Sequence, residues 1–190
     1  FAPDRRVALL DVDYSFSDKN VMLRGVTTSA EAKNVLLKEL ARKGYAVMDC
    51  LELLPDVKGL EGKTCGIINV SVANMRVAPD FSSEMMTQSL MGMPVRVLQR
   101  DGWVRIQTPD NYIAWVHRVG VHPVTEEEMA AWNKAEKIVV TAHYGFVYSE
   151  PNQTSQTVSD VVAGNRLKWE GSKGAFYKVT YPDGRRGYIS

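Results

Sequence analysis

The sequence predicts a mainly β protein: two small β-barrels in tandem, preceded by a small α/β unit of order β-β-α-β. Three observations carry this. From Ile67 onward, short apolar stretches alternate with turn residues at spacings of about ten, the pattern of small antiparallel barrels. The phrase GWVRIQTPDNYIAWV (102–116) returns near the end as AFYKVTYPDGRRGYI (175–189), so the β region is written twice. Residues 1–54 contain one amphipathic helical stretch between strand-like runs.

The N-terminal unit reads as follows. RVALLDVDYSF (6–16) and NVMLRGVT (20–27) are rich in Val and Leu and predict two strands. Thr28 and Glu31 have the spacing of a capping box, which opens a helix. Ala32, Val35, Leu36 and Leu40 then fall on one stripe, and Gly44 supplies a C-terminal stop. YAVMDCLELL (45–54) predicts a third strand, and 55–66, with Pro and three Gly, a connector.

In the repeated region the predicted strands are IINVSVANMRV, PVRVLQR, GWVRIQT and YIAWVH, separated by the turns PDFSS, MGMP, RDG and TPDN. TEEEMAAWNKAEK (125–137) interrupts them with a capping-box spacing, Thr125 and Glu128, and acidic residues in the first turn, and so predicts a short bridging helix. KIVVTAHYGFVYS, GNRLKWE, AFYKVTYP and RGYIS resume the β pattern. Matching Val77 to Val147, Gly92 to Gly164 and Pro109 to Pro182 gives offsets of 70, 72 and 73, a drift that loop insertions would produce. The expected domains are 1–64, 65–122 and 138–190, with 123–137 as the linker helix.

Composition narrows the function. A net charge of +1 supplies no basic field for nucleic acid, and no apolar run is long enough for a membrane span. Three His and two Cys show no zinc-type spacing, so neither metal nor cofactor is expected. His117 and His122 are expected as exposed loop residues. Cys50 and Cys65 lie among apolar neighbours and read as two small buried thiols rather than a disulfide. Phe1, rather than Met, at position 1 suggests a chain whose signal peptide has been removed, hence a periplasmic or extracellular setting.

The stretch 67–190 resembles tandem bacterial SH3 domains. The family pattern N-x-R … G-x-x-V-x-V … G-W-x-x-V … D-G-x-x-G-W-V appears as Asn74 and Arg76, Gly92, Val95 and Val97, Gly102, Trp103, Val104 and Ile106, then Asp110, Asn111, Ala114, Trp115 and Val116. Asn111 and Ala114 stand where the family has glycines. The second copy keeps Asp183, Gly184, Gly187, Tyr188 and Ile189 but lacks the Asn-x-Arg opening.

SEMMTQSLMGMPVRVL further resembles the first SH3 domain of cell-wall peptidases of the NlpC/P60 class. That resemblance implies a secreted enzyme cutting peptidoglycan stem peptides between γ-D-glutamate and a diamino acid. The peptidases' Asp-Cys-Ser-Gly-like element and downstream His do not occur in this sequence. The chain alone is therefore expected to hydrolyse nothing and to act with a C-terminal catalytic domain that a boundary at Ser190 would precede. By the same resemblance, Glu84 and Tyr112 would wall the substrate cleft: a carboxylate can pair with the free amine of a stem peptide, and a phenol can donate while showing an apolar face. Trp103 and Trp115 are the further ligand-binding candidates. The alternatives are a free-standing module binding a cell-wall peptide or glycan, and a spacer with no ligand.

Overall fold

We describe residues 1–190 in a computed structural model. The chain begins with β1 (Leu10–Ser17), β2 (Asn20–Thr27), α1 (Ala30–Arg42) and β3 (Ala46–Leu53). β1 pairs antiparallel with β2, and β2 parallel with β3 through the helical crossover. Val21, Leu23 and Leu51 are buried under α1 by Leu36, Leu37 and Leu40. Ser29, not Thr28, is the N-cap, its side chain accepting from the Ala32 amide. Val35, expected on the apolar stripe, is exposed, and Leu37 takes its place. The sheet lies against a face of the helix rotated by one position.

The first barrel comprises β4 (Cys65–Ile68), β5 (Val72–Arg76), β6 (Met85–Leu90), β7 (Pro94–Asp101), β8 (Trp103–Gln107), β9 (Ile113–His117) and β10 (Val121–Val124), in the spatial order β10-β4-β7-β8-β9-β5-β6. Ile68, Met75, Val97, Val104 and Ile106 fill its core. α2 (Glu126–Lys134) follows, with Thr125 and Glu128 forming the capping box that the spacing predicts. Met129 and Trp132 bury Ile67.

The second barrel comprises β11 (Lys137–Val139), β12 (Tyr144–Tyr148), β13 (Thr157–Val162), β14 (Arg166–Lys173), β15 (Phe176–Thr180) and β16 (Arg186–Ile189), in the order β11-β14-β15-β16-β12-β13. The sequence pattern does not reveal β6, β10 or β13. β6 and β13 end their sheets, where partial burial demands little alternation.

The registers correct the alignment of the repeat. Arg76 faces Trp115 as Tyr148 faces Tyr188, and both strands carry a bulge at this point. Met75, not Val77, is therefore the counterpart of Val147. The offset is 72 from β4 to β7 and becomes 73 in the hairpin before β8, so the copies differ by one inserted residue rather than three.

Two runs read as single strands are each split in two. The first breaks at 69–71 because those residues turn to the other barrel. Asn69 Nδ2 donates to Asp183 (2.9 Å), Ser71 Oγ to Asp160 (2.6 Å), and Asn165 Nδ2 to the Ser71 carbonyl (2.8 Å). The Arg166 amide bonds Met91 O, and Met91 is buried in the second barrel's core. Trp132 Nε1 donates to Gly92 O, tying α2 into the same junction. The N-terminal unit docks on the other side of the first barrel through Leu9, Leu54, Leu98 and Ile113. No helix is long and apolar enough to cross a membrane.

Both cysteines are free thiols, but the expectation that they are buried fails. Cys50 is exposed on the open face of the N-terminal sheet, and Cys65 is half-buried. His117 and His122 lie on β9 and β10 and are half-buried, not on exposed loops.

Candidate functional site

Loop 77–84 leaves β5, and turn 108–112 enters β9. These strands are antiparallel neighbours, so Glu84 and Tyr112 come to the same end of the first barrel. The loop is internally fixed. Val77 N donates to Glu84 O (3.1 Å), Ala78 N to Ser83 Oγ (2.9 Å), and the Arg76 guanidinium to Ser83 O (2.5 Å). At its tip, hydrogen bonds from Ser82 hold the Asp80 carboxyl below its ordinary value. Glu84 thus stands at the base of an ordered loop. Its exposed carboxylate has no hydrogen bond or ion pair within the chain.

The turn is equally defined. Thr108 N donates to Tyr112 O (3.0 Å), and Tyr112 N to Thr108 Oγ1 (3.1 Å). Asn111 takes a left-handed φ of 70°, which Asn tolerates better than other side chains. This explains how it replaces the expected glycine. Tyr112 is half-buried against the barrel core, and the Arg6 guanidinium lies 6.0 Å from its ring centre. Arg6 is itself held by Asp4 (2.8 Å), whose pKa the Arg6 hydrogen bonds bring down to about 2. The N-terminal unit, in which the sequence shows no chemistry, therefore supplies a cation beside Tyr112.

Trp103 and Trp115 share the outer face of β8 and β9 but do not join Glu84 and Tyr112 in one constellation. Trp103 packs on Phe81 (4.8 Å between ring centres) and on His117 (5.3 Å, edge-on). With Val72 and Val119 they line a groove of about 190 Å³. Trp115 lies instead under Arg105, 5.1 Å from the guanidinium. Burial pushes the Arg105 pKa down, partly offset by Asp11 of the N-terminal unit. Phe81 and His117 are groove residues that sequence reasoning missed. The repeat could have pointed to them, because their counterparts, Gln153 and Ser190, are polar and hydrogen-bonded to each other. No three His, Cys, Asp or Glu side chains converge to hold a metal ion.

The second barrel differs at each of these positions. The common register places Gln156 at the position of Glu84, Arg185 at that of Tyr112, Phe176 at Trp103 and Tyr188 at Trp115. Arg185 is engaged by Asp183 (2.7 Å), lies over Tyr181 (4.6 Å) and reaches Asn69 O (3.4 Å). The corresponding end of the second barrel is thus closed by contact with the first.

Comparison with known families agrees with the paired barrels. Residues 75–119 match the bacterial dipeptidyl-peptidase SH3 domain, and residues 143–190 match the bacterial SH3 domain. The chain carries two bacterial SH3 domains in tandem. Among solved structures, it is similar to an NlpC/P60 family protein from Bacillus cereus, with a TM-score of 0.54 and 20% identity over 66% of this chain and 53% of that one. It is also similar to an NlpC/P60 endopeptidase from Photobacterium damselae subsp. piscicida, with a TM-score of 0.50 and 14% identity over 86% of this chain and 37% of that one. At these identities the likeness establishes the fold of the SH3 pair, and the chain spans about half or less of either protein. No curated protein sequence shows significant similarity to it.

Proposed function

We propose that this chain is the non-catalytic, substrate-recognising portion of a secreted peptidoglycan stem-peptide hydrolase of NlpC/P60 type. It would work with a C-terminal catalytic domain, and the first SH3 domain would form part of the cleft wall. One observation carries the reading: a carboxylate with no internal partner, Glu84, and a phenol, Tyr112, occupy the same end of the first SH3 domain, while the second has Gln156 and Arg185 there. The match of residues 75–119 to the SH3 domain of a bacterial dipeptidyl-peptidase supports it. So does the recurrence of this architecture in NlpC/P60 proteins. Glu84 would pair with the free amine of a trimmed stem peptide, and Tyr112 would hydrogen-bond its backbone. The same relatives support a cell-wall setting, periplasmic or extracellular. We also propose the units 1–64, 65–122 and 138–190 with a linker at 123–137, although β10 carries the first barrel's sheet on to Val124 and β11 opens the second's at Lys137.

The test is titration of the labelled chain with a stem peptide that begins with a free L-Ala amine, and with its N-acetylated form. The free amine is expected to shift the Glu84 and Tyr112 resonances, and the acetylated form to bind about tenfold more weakly, the loss of one charge-assisted hydrogen bond. Glu84→Gln should produce the same loss without altering the melting temperature. Equal binding of both peptides would reject the assignment of Glu84. A second reading, a free-standing binder of cell-wall peptide or glycan, is favoured by the Phe81–Trp103–His117 groove, which needs no other domain to be complete. Shifts confined to that groove would select it.

A further inference from the structure

Arg6 reaches the Glu84–Tyr112 end of the first SH3 domain from outside it, and its place there is fixed by the main chain. The amide of Ile113, the residue after Tyr112, donates to Arg6 O (2.6 Å), and Gln107 Nε2 donates to Val7 O (3.3 Å). The Val7 and Ala8 amides both donate to Asp4 O (3.1 Å each), closing a turn that brings Asp4 beside Arg6. The cluster of Leu9, Leu54, Leu98 and Ile113 anchors the segment that follows. Asp4 occupies only one edge of the Arg6 guanidinium. Its carboxylate accepts from Nε (3.0 and 3.2 Å), from Nη2 (2.8 Å) and from the Arg6 amide (2.9 Å). Nη1 donates to no group of the chain, and the Arg6 side chain is 59% exposed. A guanidinium carries five donors in one plane, so a second oxygen ligand fits the edge that Asp4 leaves free.

The second SH3 domain shows the same device with its free edge in use. There Asp183 accepts from the Arg185 amide (3.1 Å) and from Arg185 Nε (2.7 Å), as Asp4 does from Arg6. The Arg185 guanidinium lies 4.6 Å from the Tyr181 ring centre, as that of Arg6 lies 6.0 Å from Tyr112. Arg185 directs Nη2 to an oxygen, Asn69 O (3.4 Å), in the contact between the two domains. At the end of the first domain no oxygen of the chain takes the corresponding edge of Arg6.

We propose that Arg6 is a specificity-determining residue of the Glu84–Tyr112 site, its free edge taking a carboxylate of the same ligand whose amine meets Glu84. The inference rests on the stem-peptide reading above and narrows it. The site offers an unpartnered carboxylate and a guanidinium with an unpartnered edge, so its complement is a peptide with both a free amine and a carboxylate close behind it. A glutamate joined to the next residue through its γ-carboxyl keeps its α-carboxylate, and so carries this charge one residue after an N-terminal alanine. Amidation of that carboxylate removes the charge and the acceptor geometry together. Arg6 is held by main-chain bonds before any ligand arrives, which limits the ordering cost of the contact.

The probes are the C-terminally amidated tripeptide L-Ala-γ-D-Glu-L-Lys and the same peptide with its glutamate α-carboxylate converted to the amide, each titrated into the full isotopically labelled chain. The acid form is expected to bind about fivefold more tightly, the upper end of what an exposed ion pair contributes, and to shift the Arg6 Nε–H signal, which the amide form leaves in place. Arg6→Gln should bring the acid form down to the affinity of the amide form. Arg6→Lys, which keeps the charge but not the fork, should fall between. The Ile113 amide bonds the main chain of Arg6, so unchanged Tyr112 and Ile113 amide signals will show that the variants keep the segment in place. Equal affinity for the two peptides, or a preference for the acid form that survives Arg6→Gln, would overturn the proposal. If N-acetylation of the peptide still weakens binding in that case, the assignment of Glu84 stands and that of Arg6 alone fails. If neither peptide binds, both fail.

Discussion

At the scale of single residues, Tyr181 is an aromatic side chain that serves the core of the second barrel. It is 1% exposed, and its hydroxyl lies 2.6 Å from Ser159 Oγ. Burial pushes its pKa up, only partly opposed by the Ser159 hydrogen bond. The folded state therefore keeps the proton more tightly than the unfolded state. Its contribution is complete below about pH 10, the ordinary tyrosine value, and falls as pH rises toward the raised folded value. Tyr181→Phe should cost about 1 kcal/mol at neutral pH, the worth of one hydrogen bond, and should flatten the loss of stability above pH 10. Urea unfolding at pH 7 and above pH 10 measures both. An alkaline slope unchanged by the substitution would contradict the assignment. Glu84 and Tyr112 are candidates in the sequence only through the resemblance to the peptidase SH3 domain. Arg6 is not one, because only folding carries residue 6 to residue 112.

At the scale of elements, two glycines separate local from tertiary constraint. Gly44 ends α1 at φ 83°, and a Cβ there would meet nothing within 4 Å. Gly92 has the same φ, but its Cβ would collide with the backbone carbonyl of Arg166. Gly44→Ala should therefore cost only the left-handed conformation, about 1 kcal/mol. Gly92→Ala should cost clearly more, because one of the two SH3 domains must shift. Chemical denaturation of the two variants side by side tests this, and equal losses would refute it. The helix following 124 was legible from its capping box, a purely local hydrogen-bond pattern. β10 was not, because VHPV becomes a strand only by lying on β4.

At the scale of the whole molecule, the SH3 domains share a hydrogen-bonded junction and a core residue, Met91, so they should unfold together. Calorimetry of the chain is expected to give one transition for residues 65–190, with Trp103 and Trp169 reporting the same midpoint. Gly92→Ala should separate the two midpoints. A wild-type chain with two resolved barrel transitions would show that the junction carries little free energy.

The sequence by itself determined the repeat, the barrel class and the bridging helix, because alternation, capping and turn chemistry act over a few residues, whereas Glu84 and Tyr112 became candidates only through the family resemblance. Tertiary structure decided the true offsets of 72 and 73, the breaks at 69–71 and 140–143, and the separation of Trp115 from the Trp103 groove. Each of these depends on which distant strand supplies a backbone partner. That choice is made by packing across the chain and leaves no periodic trace in the residues that obey it.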